Sequence, residues 1–341
     1  MDEIEKYFLS DDLNQSSLKA ILTGLGTYLN KKKGSFDHFV RGNAVDFLIT
    51  QENELFENYF YVYTDKVTKG VKKVIDYLYD STDEEYLPLE ELNIPFACKL
   101  LDYQKNWKDE TLINDVISKG SDYYIALINC GGRQIISEED YELAKKIVDS
   151  LSTHKHTAKY IDKDYNKYYY DQLIIYFKHE DINCKAMLDR VIVNHHDRTI
   201  QPLDIKTIGD STKAFPSNVK RFRYDIQAKW YLLALEYWIE NELVSLKGYE
   251  ILPFRFIVES TKSPGILPLV YKINNFSLKK AYEGYYESKS QHIIGDDEDN
   301  KIVHRYVEGI KQGIEKYKYH YYNDQWEMEQ SILESNGEIE L

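Results

Sequence analysis

The chain has 341 residues, 43% hydrophobic and 29% charged, and a net charge of −14, so it reads as one large globular domain or two small ones, and the charge argues against loose, whole-surface binding to nucleic acid while leaving room for a local basic channel. No apolar run approaches the ~20 residues of a membrane span, and the acidic opening MDEIEKYFLSDD lacks the basic and apolar regions of a signal peptide, so a cytoplasmic chain is expected. Three scattered cysteines, Cys98, Cys130 and Cys184, make no CxxC pair for a zinc ribbon or a four-cysteine iron–sulfur cluster.

In chain order, residues 14–30 predict a short capped helix with Ser16 or Ser17 as N-cap, followed by a loop at Lys31–Gly34. Residues 36–50 have apolar residues at helical spacing around Gly42 and Ala44, whose small side chains suggest close packing. The stretch 65–170 is mostly helical in pattern. Within it Ser137 caps a helix to Leu151, with Glu138, Glu139 and Asp140 in the first turn. From about 172 the period changes, and QLIIYF, CKAMLDRVIV and IQPLDIKT read as strands, the last two joined by a turn at His195–Arg198. A strongly apolar helix follows at 224–241, then a strand at 253–260 ended by Thr261–Gly265. Helices are expected at 277–291 and 302–321, and an acidic tail at 323–341. No linker composition divides the chain. The expectation is a single domain over 1–322, with a helical N-terminal half (1–170), a catalytic core (171–292) and a C-terminal helix (302–321).

Charge is unevenly spread. Lys213, Lys220, Arg221, Arg223 and Lys229 face a single acid, Asp225, within 213–229, whereas 296–299 is Asp-Asp-Glu-Asp and no Lys or Arg follows Lys318. The 31 tyrosines are read as compositional bias rather than a stacking platform.

The chemistry concentrates in the hairpin 184–207. Strand residues two apart share a face, so Asp204 and Lys206 point one way and Leu203 and Ile205 the other. A turn centred on His196-Asp197 pairs Asn194 with Thr199 and places Asp189 opposite Asp204, the Cβ atoms about 5 Å apart. Two carboxylates that close repel, and a divalent cation would compensate them; Mg²⁺ and Mn²⁺ favour such oxygens. Lys206 on the same face could position a water near a scissile phosphate. On the following helix Gln227 and Tyr231 are i and i+4 and share a face, extended by Tyr224. Buried polar side chains there need polar partners. Lys213, Lys220, Arg221 and Arg223 are candidate phosphate contacts. His195 and His196 read as exposed turn residues.

Asp189, Asp204-Ile205-Lys206-Thr207 and Gln227-x-x-x-Tyr231 together resemble the PD-(D/E)xK nuclease core of the RecB and exodeoxyribonuclease VIII branch, most closely its phage-encoded members. QSSLKAI and GRQIISEEDYELAKKIV are similar to that group's opening and central helices, and the likeness spans roughly 12–290. The resemblance implies an α/β restriction-endonuclease-like fold, a central mixed sheet flanked by helices with a largely helical N-terminal half. It also implies Mg²⁺- or Mn²⁺-dependent 5′–3′ digestion of duplex DNA, a ring-like homo-oligomer and a single-strand annealing partner. Metal ligation would fall to Asp189, Asp204 and the Ile205 carbonyl, with Gln227 and Tyr231 organising the substrate side. The family's metal-binding histidine, in a G-x-x-x-H pattern, is replaced here by Asp46 in Gly42-Asn43-Ala44-Val45-Asp46; a carboxylate suits the same cations. An endonuclease of the same fold and a non-catalytic DNA-binding scaffold stay open as alternatives.

Overall fold

The computed structural model describes residues 3–30, 37–50, 56–64, 67–82, 87–291 and 301–326. The Lys31–Gly34 loop, the acidic run 296–299 and tail residues 327–341 lie outside them. The chain is mixed α/β and groups into two compact units, 35–150 and 1–34 with 151–341. The division at 150/151 falls inside the segment expected to be the helical half of one domain.

The first unit begins with α1 (Glu3–Leu9), α2 (Gln15–Thr23) and α3 (Leu25–Leu29). Asn14, rather than Ser16 or Ser17, caps α2, its Oδ1 accepting from Ser17 N–H at 2.8 Å. Gly24, at φ 143, then breaks the predicted helix in two.

The second unit holds α4 (Asp37–Thr50), α5 (Phe56–Tyr59), β1 (Phe60–Tyr63), α6 (Lys69–Asp80), α7 (Ile94–Leu100), α8 (Asp109–Asn129), β2 (Gln134–Ser137) and most of α9 (Glu138–Thr153). Its core is apolar stripes of α6, α7 and α8: Val71, Val74, Ile75, Ala97, Leu112 and Val116. A Cβ on Gly120 would come within 2.9 Å of Val71 and Ile75, so that glycine lets α8 approach α6. Gly42 plays no such part, since a Cβ there would meet nothing within 4 Å; Ala44 is fully buried. Ser137 caps α9 as expected, accepting from Asp140 N–H at 3.1 Å. The parallel pair β1–β2 was not foreseen, because four-residue strands carry too few alternations to stand out.

After α10 (Ala158–Ile161) the first unit resumes with β3 (Tyr168–His179), β4 (Ile182–Asn194) and β5 (Thr199–Ile208). Next come α11 (Phe215–Phe222), α12 (Tyr224–Asn241), β6 (Glu250–Ile251), β7 (Arg255–Ser260) and β8 (Leu269–Lys272). The strands form one mixed sheet in the order β3-β4-β5-β7-β8, with β6 also on β5. β3, β4 and β5 are an antiparallel meander, and β5 pairs β7 in parallel, from Leu203 with Arg255 to Ile208 with Ser260. A parallel pair needs a crossover, and α11–α12 provide it. The even-numbered residues of β5 and β7, among them Ile200, Ile208, Phe256 and Val258, pack with Phe254 just before β7 in one core with Ile226, Trp230, Leu235 and Trp238 of α12. Asp204 and Lys206 alternate into that same face.

The C-terminal segment corrects two expected helices. Helix α13 (Asn275–Glu283) stops at Gly284, φ 80, and β9 (Tyr285–Gln291) pairs antiparallel with β10 (Lys301–Val307) before α14 (Ile310–Asn323). Gly284 takes the C-cap at positive φ, and a Cβ there would strike the Tyr306 hydroxyl, so only glycine fits.

Arg190 on β4 is fully buried, gripping Asp171 on β3 through Nε at 2.5 Å and Nη2 at 3.1 Å, and the Ile161 carbonyl at 2.6 Å. Arg190→Ala would leave a nearly buried carboxylate without its main partner. It is expected to cost about 3–5 kcal/mol in urea unfolding.

Candidate active site

The hairpin register is the predicted one: Asn194 faces Thr199 and Arg190 faces Leu203, around the turn His195–Arg198, with Arg198 at φ 52. One step on, where Asp189 would face Asp204, the β4–β5 ladder stops. On the other edge of β4 the pairing with β3 also skips Asp189, because the opposing Gln172 is left-handed at φ 49. β4 is therefore released on both sides at Asp189. Its side chain fills the gap: Asp189 Oδ2 accepts from Ile205 N–H at 2.8 Å, where a ladder bond would otherwise be. A strand residue's N–H and C=O share one edge, so the Ile205 carbonyl opens to the side of Asp189.

Asp204 is fully buried. Its Oδ1 accepts from Gln227 Nε2 at 2.7 Å, and the same amide reaches the Tyr231 hydroxyl at 3.2 Å. Gln227, backed by Tyr231, both of them buried, thus holds the carboxylate from α12. Oδ2 is ion-paired with Lys206 Nζ at 2.5 Å. Burial works against the Lys206 ammonium; the Asp204 and Asp189 charges outweigh it and hold the group charged above the usual lysine range. Burial, then the same two carboxylates, push the Tyr231 phenol well up, so it stays a neutral hydroxyl.

Tyr224 forms the floor beside Lys206. Its ring stacks on Phe215, centroids 5.7 Å apart, and Lys206 Nζ lies 5.2 Å from its centroid. Lys19 of α2 lies 5.8 Å from the same centroid and donates to the Phe222 carbonyl at 3.2 Å. Nothing in the local pattern around Lys19 signals this; only the likeness of QSSLKAI to an opening helix pointed at the segment.

The expected phosphate contacts divide. Lys213 and Arg221 are exposed, and Arg221 lies over Phe222. Lys220 is exposed but ion-paired with Glu287. Arg223 is committed to structure: left-handed at φ 52, it ends α11 and opens α12, with its guanidinium on Asp225 at 3.0 Å and the Glu308 carbonyl at 3.0 Å. His195 is exposed in the turn and meets the Tyr249 hydroxyl at 2.8 Å. Asp46 lies on α4 in the other unit, where its carbonyl accepts from Thr50; its metal-binding role rests on the resemblance alone.

Asp189, Asp204 and the Ile205 carbonyl fit a small hard cation. Two carboxylates beside a backbone carbonyl are a hard, all-oxygen donor set, and both carboxylates already act on one cation, the Lys206 ammonium. Among the described residues no three His, Cys, Asp or Glu side chains gather as a metal cage. Mg²⁺ commonly takes one or two carboxylates and completes its shell with water and phosphate.

No family model matches the chain, and no curated protein is similar to it. Among solved structures, a "putative exonuclease" from Eubacterium rectale is similar over 67% of this chain and 77% of that one, at 14% identity and a TM-score of 0.31. So distant a likeness carries no argument about activity. Among the described residues no helix is long and apolar enough to cross a membrane.

Gln227→Leu removes the donor from Asp204 Oδ1. A stability loss of about 1–3 kcal/mol is expected in denaturant titration, the cost of orphaning a buried acceptor.

Proposed function

We propose that the chain is a metal-dependent deoxyribonuclease of the PD-(D/E)xK type, working on duplex DNA in the manner of a phage 5′–3′ exonuclease. The observation that carries this reading is the buried Asp204 carboxylate. It is clamped by Gln227 on one oxygen, ion-paired with Lys206 on the other, and acts with Asp189 on that same ammonium. Two carboxylates and a charged lysine gathered at a buried place are costly to keep for structure alone.

Asp189 and Asp204 would hold Mg²⁺ or Mn²⁺, with the Ile205 carbonyl beside them; Asp46 enters this set by resemblance. The cation supplies charge neutralisation at the phosphate and a more acidic water. Lys206, kept as an ammonium, donates to the scissile phosphate and orients the attacking water. Gln227 and Tyr231 fix the Asp204 carboxylate so that it does not turn away when the opposing charge changes. Hydrolysis adds water across one P–O bond. The water oxygen bonds to phosphorus, the sugar oxygen leaves, and the water's proton ends on it. Lys213, Lys220, Arg221 and Tyr224 border this centre in sequence and would meet the flanking backbone. An annealing partner, a homo-oligomer and a cytoplasmic setting follow from the resemblance and the composition.

Linear duplex DNA incubated with Mg²⁺ or Mn²⁺ should be degraded by wild type and left intact by Lys206→Ala. Equal survival of the DNA with both proteins would refute catalysis. Closed circular DNA decides the mode, because an exonuclease leaves it whole and an endonuclease linearises it. In calorimetry, Mn²⁺ should give binding heat with wild type and none with Asp189→Ala/Asp204→Ala.

A further inference from the structure

Among the described residues Lys19 is a cation beside the candidate site that no carboxylate pairs with directly. Its helix, α2, is far in sequence from the hairpin, yet its ammonium lies 5.8 Å from the centre of the Tyr224 ring that also carries Lys206, at 5.2 Å. Its hydrogen bond goes to the Phe222 carbonyl, at the end of α11. Among the described residues it makes no ion pair with a carboxylate. The nearby acids are engaged elsewhere, Asp225 by Arg223 and Asp204 by Lys206 and Gln227. An ammonium has three donors, and the carbonyl uses one. Two ammonium groups on one ring, one of them unpaired, describe a place that an anion would stabilise.

We infer that Lys19 is a substrate-binding residue that holds a DNA phosphate next to the scissile one, with Lys206 serving the scissile phosphate itself. Lys206 touches Asp204 and so belongs to the reacting group. Lys19, tied to the end of α11, shares the Tyr224 ring with Lys206 but does not touch Asp204 in any hydrogen bond or ion pair among the described residues. The inference rests on the nuclease reading for its ligand, a phosphodiester backbone.

The charge state agrees with this role. Burial and the neighbouring Lys206 lower the Lys19 pKa to about 8, partly countered by Asp204 and Asp225, with Arg223 acting alongside Lys206. In the free protein the group therefore loses its charge as pH rises through about 8. A bound phosphate favours the charged form, so affinity falls on the alkaline side as binding must take up a proton.

The test uses the full chain and a short fluorescent DNA duplex in EDTA, where binding is read without cleavage. Lys19→Met keeps the stem and removes the charge; Lys19→Arg keeps the charge at every pH used. Lys19→Met should weaken binding about tenfold, the worth of one charge-assisted hydrogen bond. It should also reduce the slope of log K against log salt by about 0.9, the signature of one lost phosphate contact. Lys19→Arg should restore the slope and abolish the weakening that wild type shows from pH 7.5 to 9. In cleavage assays with Mg²⁺ the loss should fall on KM rather than kcat. A natively folded Lys19→Met with unchanged affinity and slope overturns the proposal while leaving the nuclease reading standing. Failure of wild type to cut DNA sinks the nuclease reading, and the binding slopes still decide Lys19. If Lys19→Met does not fold, wild type and Lys19→Arg decide by their pH dependence, and identical profiles overturn the proposal.

Discussion

Asp204 is a carboxylate at full burial, and the geometry around it follows from making that tolerable. An isolated charge in an apolar interior would cost far more than a domain has to spare. Three devices reduce the cost here: the Gln227 amide on one oxygen, the Lys206 ammonium beside the other, and the Tyr231 hydroxyl behind the glutamine. Each must arrive from a fixed direction, which requires α12 to lie on the even-numbered face of β5. The parallel crossover from β5 to β7 brings it there, and the core of Trp230, Leu235, Phe254 and Phe256 keeps it there. Stability is thus invested in a group whose own presence is destabilising, the pattern expected of a functional site.

Asp189 is held by the opposite strategy. Instead of being enclosed, it sits where β4 lets go of both neighbours, next to left-handed Gln172 on one edge and past the last pair of the β5 ladder on the other. The break gives one carboxylate room within an otherwise continuous sheet, and the Ile205 N–H closes the gap.

Much of this was legible in sequence because it is local or periodic. Alternation separates Asp204 and Lys206 from Leu203 and Ile205, the His195–Arg198 turn fixes the hairpin register, and Gln227 and Tyr231 are one helical turn apart. That Gln227 points at Asp204 follows once α12 is the crossover helix. Lys19 was not legible, since its arrival depends on how α2 docks against α11 and α12, about two hundred residues later. The commitment of Arg223 was hidden too, because a left-handed arginine pairing two residues ahead leaves no compositional trace. The pairing of β9 with β10 escaped for a different reason. YYESKSQ has polar residues on both faces, so its period is weak, and the close approach of Tyr306 that requires a glycine at 284 is not visible in the local pattern.

The side-chain bond that closes the sheet at Ile205 makes that amide unlike its neighbours. Backbone protons in a ladder exchange with solvent only when strands separate. The Ile205 proton is guarded by a carboxylate instead, although the residue itself is 4% exposed. A ligand that drew that carboxylate away would leave one amide in the middle of a protected strand without its acceptor, and faster deuterium uptake at Ile205 alone would report it.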